Sequence, residues 1–159
     1  MAKARQIPGL GGDIRFGEAA ARAVEVRSKE VFEQADGVLD MSDPERVHDM
    51  RVATRRLRAA LEIFAACFPK AEHKALLREV KELADALGER RDPDVQVEAL
   101  ERLKAGLGQA ERTGVNGLVA EIRARREQGN ERVEAALERV REQRLEQRLA
   151  ELAGRAEGA

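Results

Sequence analysis

Tryptophan and tyrosine are absent from this chain of 159 residues, and four phenylalanines are its whole aromatic content. That removes the flat side chains on which nucleic acid bases stack, and so argues against a nucleic-acid partner. Cysteine is almost absent as well. Cys67 stands alone, which excludes an intramolecular disulfide framework and a cysteine-rich zinc site. It lies in the apolar stretch EIFAACF and reads as a buried small hydrophobe. Histidine occurs only at His48 and His73, too far apart for a His-x-x-x-His pair on one helix, so no metal is expected. No glycine-rich nucleotide loop appears, and no cofactor is expected either. The apolar runs are too short to cross a bilayer. The opening segment, MAKARQIPGLGGD, lacks the apolar run of a secretory leader, which makes the cytoplasm the expected location.

Net charge is also missing. Lysine and arginine number 29 against 30 acids, for a formal charge of -1, so no overall field draws in a polyanion or an anionic membrane. Any anion site has to come from the way charge is distributed. Alternating β-branched runs are absent too, and with them any strand pattern. What is present is a composition of 43% hydrophobic and 37% charged residues, typical of long helices.

The expected architecture is all-α: an antiparallel bundle of four to five helices over residues 14–154, ending in a long C-terminal helix. Residues 1–13 and 155–159 read as tails, the first one flexible. A first helix is expected from Ile14 to Leu39. Ser42 or Asp43 caps a second, with Pro44 in its first turn, which reaches Cys67 before Pro69 ends it. A third runs from Lys70 to Leu87 and stops at Gly88. Arg90 and Arg91 then fall in a loop, Asp92 caps a fourth helix, and Pro93 opens it. After a turn region around GLGQAERTGVNG, the pattern from Leu118 to Leu152 is helical, with Gly129-Asn130 as the expected bend or division. From Val119 to the end of the chain nine arginines mix with nine glutamates, the pattern of a solvated, self-paired surface.

One stretch departs from that mixture. HDMRVATRRLR, residues 48–58, holds four arginines and one histidine, with Asp49 as its only acid. At about 100° per residue the helix from Pro44 divides into two faces. Met50, Leu57, Leu61, Phe64 and Phe68 fall on one side with Ala53 and Ala60, and form the core stripe. His48, Arg51, Arg55 and Arg58 line the other side, and Arg56 flanks them. Like charges at three- and four-residue spacing repel, and no acid lies between Met50 and Leu61 to offset them. A basic face by itself is ordinarily solvated or met by acids of another helix. Here the next helix offers a second one, with Lys70, Lys74, Arg78 and Lys81. Two such faces in a hairpin would form a groove for a polyanion, because the first row alone extends about 15 Å at 1.5 Å per residue. Arginine grips phosphate oxygens bidentately, and lysine adds point charge. His73 reads as an ordinary surface residue.

The segment PERVHDMRVATRRLRAALEIF, followed by VKELADALGERRDPDV, resembles the CHAD family of conserved-histidine α-helical domains. The resemblance rests on His48, Arg51, Arg55, Arg56 and Arg58, then Leu87, Gly88, Arg91, Asp92, Asp94 and Val95. It implies a helical module that binds inorganic polyphosphate without being an enzyme. The residues it marks for that role are His48, Arg51, Arg55, Arg58, Lys81 and Arg91. Arg56 and Lys74 are their neighbours, and Arg126 is a further candidate from the last helix. Asp92 and Asp94 are implied to be structural, with Asp94 orienting a nearby arginine. The family's domain ordinarily holds two similar halves, each with its own histidine-bearing basic helix, whereas this chain has one signature and resembles a single half. A homodimer is therefore expected, and association with polyphosphate granules accompanies the cytoplasmic expectation.

Two other readings compete. HDMR also resembles the phosphoacceptor box of sensor histidine kinases, which would make His48 a phosphotransfer residue. A proline ordinarily follows soon after that arginine; here Val52, Ala53 and Thr54 do. The plainer alternative is a structural helical oligomerisation module whose arginines meet the acids of a partner. Catalysis of polyphosphate cleavage would call for a metal-binding carboxylate cluster among the bases, and only Glu62 and Asp85 lie at their ends.

Overall fold

The computed structural model describes residues 3–158; Met1, Ala2 and Ala159, at the outer ends of the two expected tails, lie outside the described residues. The chain forms α1 (Phe16–Glu33), α2 (Pro44–Ile63), a 3-10 turn at Ala65–Cys67, α3 (Lys70–Lys104), α4 (Gln109–Glu142) and α5 (Leu145–Gly154). No strand occurs among the described residues. The fold is all-α, as the composition indicates.

The start of α2 follows its sequence signal. Asp43 is the cap, its carboxylate accepting the Glu45 N–H at 3.2 Å, and Pro44 takes the first helical position, where no N–H is needed. The core stripe is also where the helical period places it, with Met50, Ala53, Leu57 and Leu61 at most 1% exposed. They pack with Val24 and Val31 of α1, Val80, Leu83 and Leu87 of α3, and Leu145, Leu149 and Leu152 of α5. Gly37, at φ +74°, turns the chain between α1 and α2. The α1 helix is shorter than expected and stops at Glu33, because the chain turns there to bury Val38.

The α2 helix ends at Ile63, short of the expected Cys67, which the 3-10 turn reaches, and three larger differences from the sequence reading follow. Gly88 does not stop the third helix, Asp92 is not a cap, and Arg90 and Arg91 are not in a loop: α3 runs unbroken for 35 residues with Pro93 inside it. An interior proline costs the bond to the carbonyl four residues back, here that of Glu89. Tertiary packing overrides this local signal, since α4 lies directly against that turn. A Cβ on Gly129 would sit 3.0 Å from the Arg90 Cα and 3.3 Å from the Glu89 carbonyl oxygen. Gly129 is thus a point of close helix approach rather than a bend. The second difference is that α4 begins at Gln109, so most of the expected turn region is helical. The third is the division of the expected long C-terminal helix, which falls at Arg144 in the left-handed conformation (φ 55°, ψ 43°). That change of direction lays Leu145, Leu149 and Leu152 into the core.

The corner between α2 and α3 is locked by His73, which is buried rather than on the surface. Its Nε2 donates to the Leu61 carbonyl at 2.7 Å, satisfying a helix-end acceptor, and its ring stacks on Phe68 at 5.9 Å between centroids. The segment read as a flexible N-terminal tail lies along α1: Arg27 donates to the Arg5 carbonyl at 3.1 Å and Arg22 to that of Pro8 at 3.0 Å. At the other end, Glu157 donates to the Cys67 carbonyl at 2.8 Å and Gly17 to that of Gly158 at 3.4 Å. No helix is long and apolar enough to cross a membrane.

Candidate functional site: the basic row of α2 beside α3

With Met50 and Leu57 anchored in the core, helical phase turns His48, Arg51, Arg55 and Arg58 outward on one side of α2. Arg55 is exposed, and the other three are half-buried. Two contacts set the antiparallel register against α3. Arg58 Nε lies 3.0 Å from Glu62 Oε1, and Lys81 Nζ reaches the same oxygen at 3.3 Å. Two turns along, Arg51 Nε lies 4.0 Å from where a Gly88 Cβ would be. Arg58 is thus level with Lys81 and Arg51 with Gly88, and the same register brings His48 level with Arg91. Ala84 and Gly88, the small residues of α3 at these levels, are half-buried.

Counter-charge is scarce along the row. Among the described residues, Arg51 and Arg55 have no carboxylate within pairing distance, and neither does His48. Glu62 serves two cations at once, and the Arg58 hydrogen bond, with help from Lys81, holds its carboxyl below the usual range. Arg56 is already engaged by a neighbouring group and flanks the row. Of the second basic face, Lys81 meets the row, through Glu62. Arg78 turns to Glu82 at 3.9 Å, and Lys74 lies exposed beyond the row, towards the corner.

On the His48 side of the row lies a buried cluster around Asp94. Arg90 Nη1 lies 2.8 Å from Asp94 Oδ2, Arg91 Nη1 is 3.7 Å from the same oxygen, and Arg126 Nε is 2.9 Å from Oδ1. Arg91 also lies 3.6 Å from the exposed Glu98. Arg90 is fully buried; desolvation pushes its guanidinium below the ordinary value, Asp94 opposes that, and Arg126 and Arg91 add to it. It stays charged, as arginine does in proteins. Four buried donors, Arg90 Nη2, Arg91 Nε and Nη1, and Arg126 Nε, have no aligned hydrogen-bond acceptor among the described residues. The cluster also holds the loop that leads into α2. Arg126 donates to the Met41 carbonyl, and Asn130 donates to that of Leu39 at 3.1 Å while accepting from Arg90 Nε at 3.3 Å.

The CHAD domain family model matches residues 22–159. The chain belongs to the CHAD family. The crystal structure of the CHAD domain from the plant Ricinus communis superposes with a TM-score of 0.67 at 25% sequence identity. The match covers 97% of this chain and 52% of that one, so this CHAD chain spans about half the length of its structural relative. No curated protein matches it.

Within the CHAD fold the expected residues thus fall into three sets. Arg51, Arg58 and Lys81 come together across α2 and α3, with His48 and Arg55 in the same row. Arg91 and Arg126 meet at Asp94. Lys74 and Arg56 stand apart. Asp92 is exposed and caps nothing, whereas Asp94 does orient arginines, three of them. Sequence reasoning missed Arg90, taken for a loop residue, and Asn130. The available signal was Gly129-Asn130 itself: two poor helix formers inside a helix ask for a tertiary reason, here close approach and a hydrogen bond to a loop.

Proposed function

We propose that this CHAD domain binds inorganic polyphosphate, without cleaving it, along the groove between α2 and α3. One observation carries the reading: Arg51 and Arg55 project beside His48 with no carboxylate in pairing distance among the described residues. Like charges held at one-turn spacing repel, and an external polyanion relieves that repulsion while releasing its own counterions. A single small anion could meet only one turn of the row. The acids nearest the groove do not form a metal-binding pair, since Glu62 is neutralised by Arg58 and Lys81. The lack of tryptophan and tyrosine favours a phosphate chain over a nucleic acid with bases to stack.

The partner for the open side of the groove is, in this proposal, a second copy of the chain. Twofold pairing would set two basic rows around one polyanion.

Titration calorimetry with polyphosphates of increasing length, against orthophosphate and duplex DNA, tests the reading. Affinity should rise with chain length until the row is filled, and fall with added salt. Equal affinity for all lengths would overturn the groove. Light scattering should give the mass of two chains, and the mass of one would overturn the dimer.

A further inference from the structure

We propose that Asp94, an acid, is a positioning residue for polyphosphate binding: it holds Arg91 and Arg126 at the end of the groove, and the groove binds less well without it. The inference rests on the polyphosphate reading above and goes beyond it in assigning a carboxylate to an anion site.

Simple electrostatics gives the opposite expectation. A carboxylate beside a polyanion repels it, and its removal adds one positive charge, so binding should tighten. The geometry argues otherwise. Asp94 has only 6% of its side chain exposed and lies within 3.7 Å of guanidinium nitrogens from three arginines. Its charge is directed at those groups and is surrounded by them. His48, Arg51, Arg55 and Arg58 need no such help, because α2 itself sets their direction. Arg91 and Arg126 come from two different helices, and Asp94 is the acid they share.

Without that charge, three cations would face one another where solvent screens them poorly. Arg90 is fully buried and has nowhere to go. Arg91 and Arg126, 10% and 24% exposed in their side chains, are the ones able to swing away. A displaced Arg126 would also release the Met41 carbonyl, and with it the loop that delivers α2. Asp94 therefore orders two long side chains before the ligand arrives, so that binding does not bear that entropy loss.

The test is Asp94→Asn, which keeps the shape and deletes the charge. Long-chain polyphosphate should bind about tenfold more weakly at low salt although the protein has become more positive. The slope of log affinity against log salt should fall by about 0.7 for each arginine that no longer meets a phosphate, the value for a single-stranded phosphate backbone. Binding as tight as wild type or tighter, with the slope unchanged, would show that Asp94 is a local counter-ion only. Where Asp94→Asn does not fold, Asp94→Asn with Arg90→Met removes the buried cation together with the acid. A folded double variant with wild-type affinity would overturn the proposal just as well, and weakened binding with a reduced slope would support it. The two readings fail differently. A wild-type chain that ignores polyphosphate overturns the function, whereas a wild-type chain that binds beside an unaffected Asp94→Asn overturns only the positioning.

Discussion

The arginines of α2 and those of α4, α5 and the C-cap of α5 lie on two sides of the same helix, α3, and meet opposite chemistry there. Towards α4 and α5, α3 presents acids. Arg148 grips Glu79 through both terminal nitrogens at 2.9 Å, Arg155 reaches Glu72 at 2.5 Å, and Arg132 pairs with Glu89. Towards α2, α3 presents Lys81, Ala84, Gly88 and Arg91. An arginine facing the first side is neutralised by an acid of α3, whereas on the second Arg58 has only Glu62 of its own helix, and Arg51 and Arg55 have no carboxylate in pairing distance among the described residues. Counting arginines cannot separate the two groups; the residue on the neighbouring helix does.

Breaking the contrast from the α2 side should give the largest effect. Arg51→Ala with Arg55→Ala removes two charged contacts worth about 1.5 kcal/mol each, so polyphosphate binding should weaken about 100-fold. Helical content and melting temperature should stay near wild type, as circular dichroism would show. Arg148→Ala with Arg155→Ala should change binding less than about twofold while lowering the melting temperature. Comparable binding losses in both pairs would erase the distinction.

A smaller effect sharpens it. Glu62→Gln frees Arg58 and Lys81 and should tighten binding by a few-fold. Its pH dependence has a definite sign. The carboxyl is held below its usual range, so its ion pairs are in place at neutral pH and are lost as pH falls through that lowered value. Wild-type affinity should therefore gain on Glu62→Gln as the solution is acidified, with the difference between the two closing at the acid end of a titration series.

The smallest effect belongs to the paired side. A double-mutant cycle on Arg148 and Glu79, read by chemical denaturation, should return a coupling of about 0.5–1 kcal/mol that shrinks with salt. A coupling of zero would mean that these arginines are as uncommitted as those of α2.

The helical class and the two faces of α2 were legible because each depends on residues within a few turns of one another. A period of 3.6, a capping aspartate and a proline at the first position all agree there. The extent of α3 was not legible. Gly88 and Pro93 are local stop signals, and what overrides them is α4 passing over that turn at Gly129, a contact forty residues away in sequence for Arg90 and Asn130. The break at Arg144 has no marker, since arginine carries no preference for the left-handed region. Arg91 and Arg126 both appear as candidates on sequence grounds, yet their meeting at Asp94 is a tertiary fact that no spacing encodes. His73 was misplaced for the same reason, because its burial depends on Phe68 and on a helix end.

The bonds from Gly17 to the Gly158 carbonyl and from Glu157 to that of Cys67 also set an order of events during synthesis. Once α1 is complete at Glu33, the side of it that α5 covers waits about 120 residues for Gly154, about 6–24 s at ribosomal rates of about 5–20 residues per second. Over that interval α2 and α3, neighbours in sequence, can already close as a hairpin and set Arg51 and Arg58 in register. On this schedule the α2–α3 hairpin takes shape before the bundle is sealed, while the first helix still waits for the last.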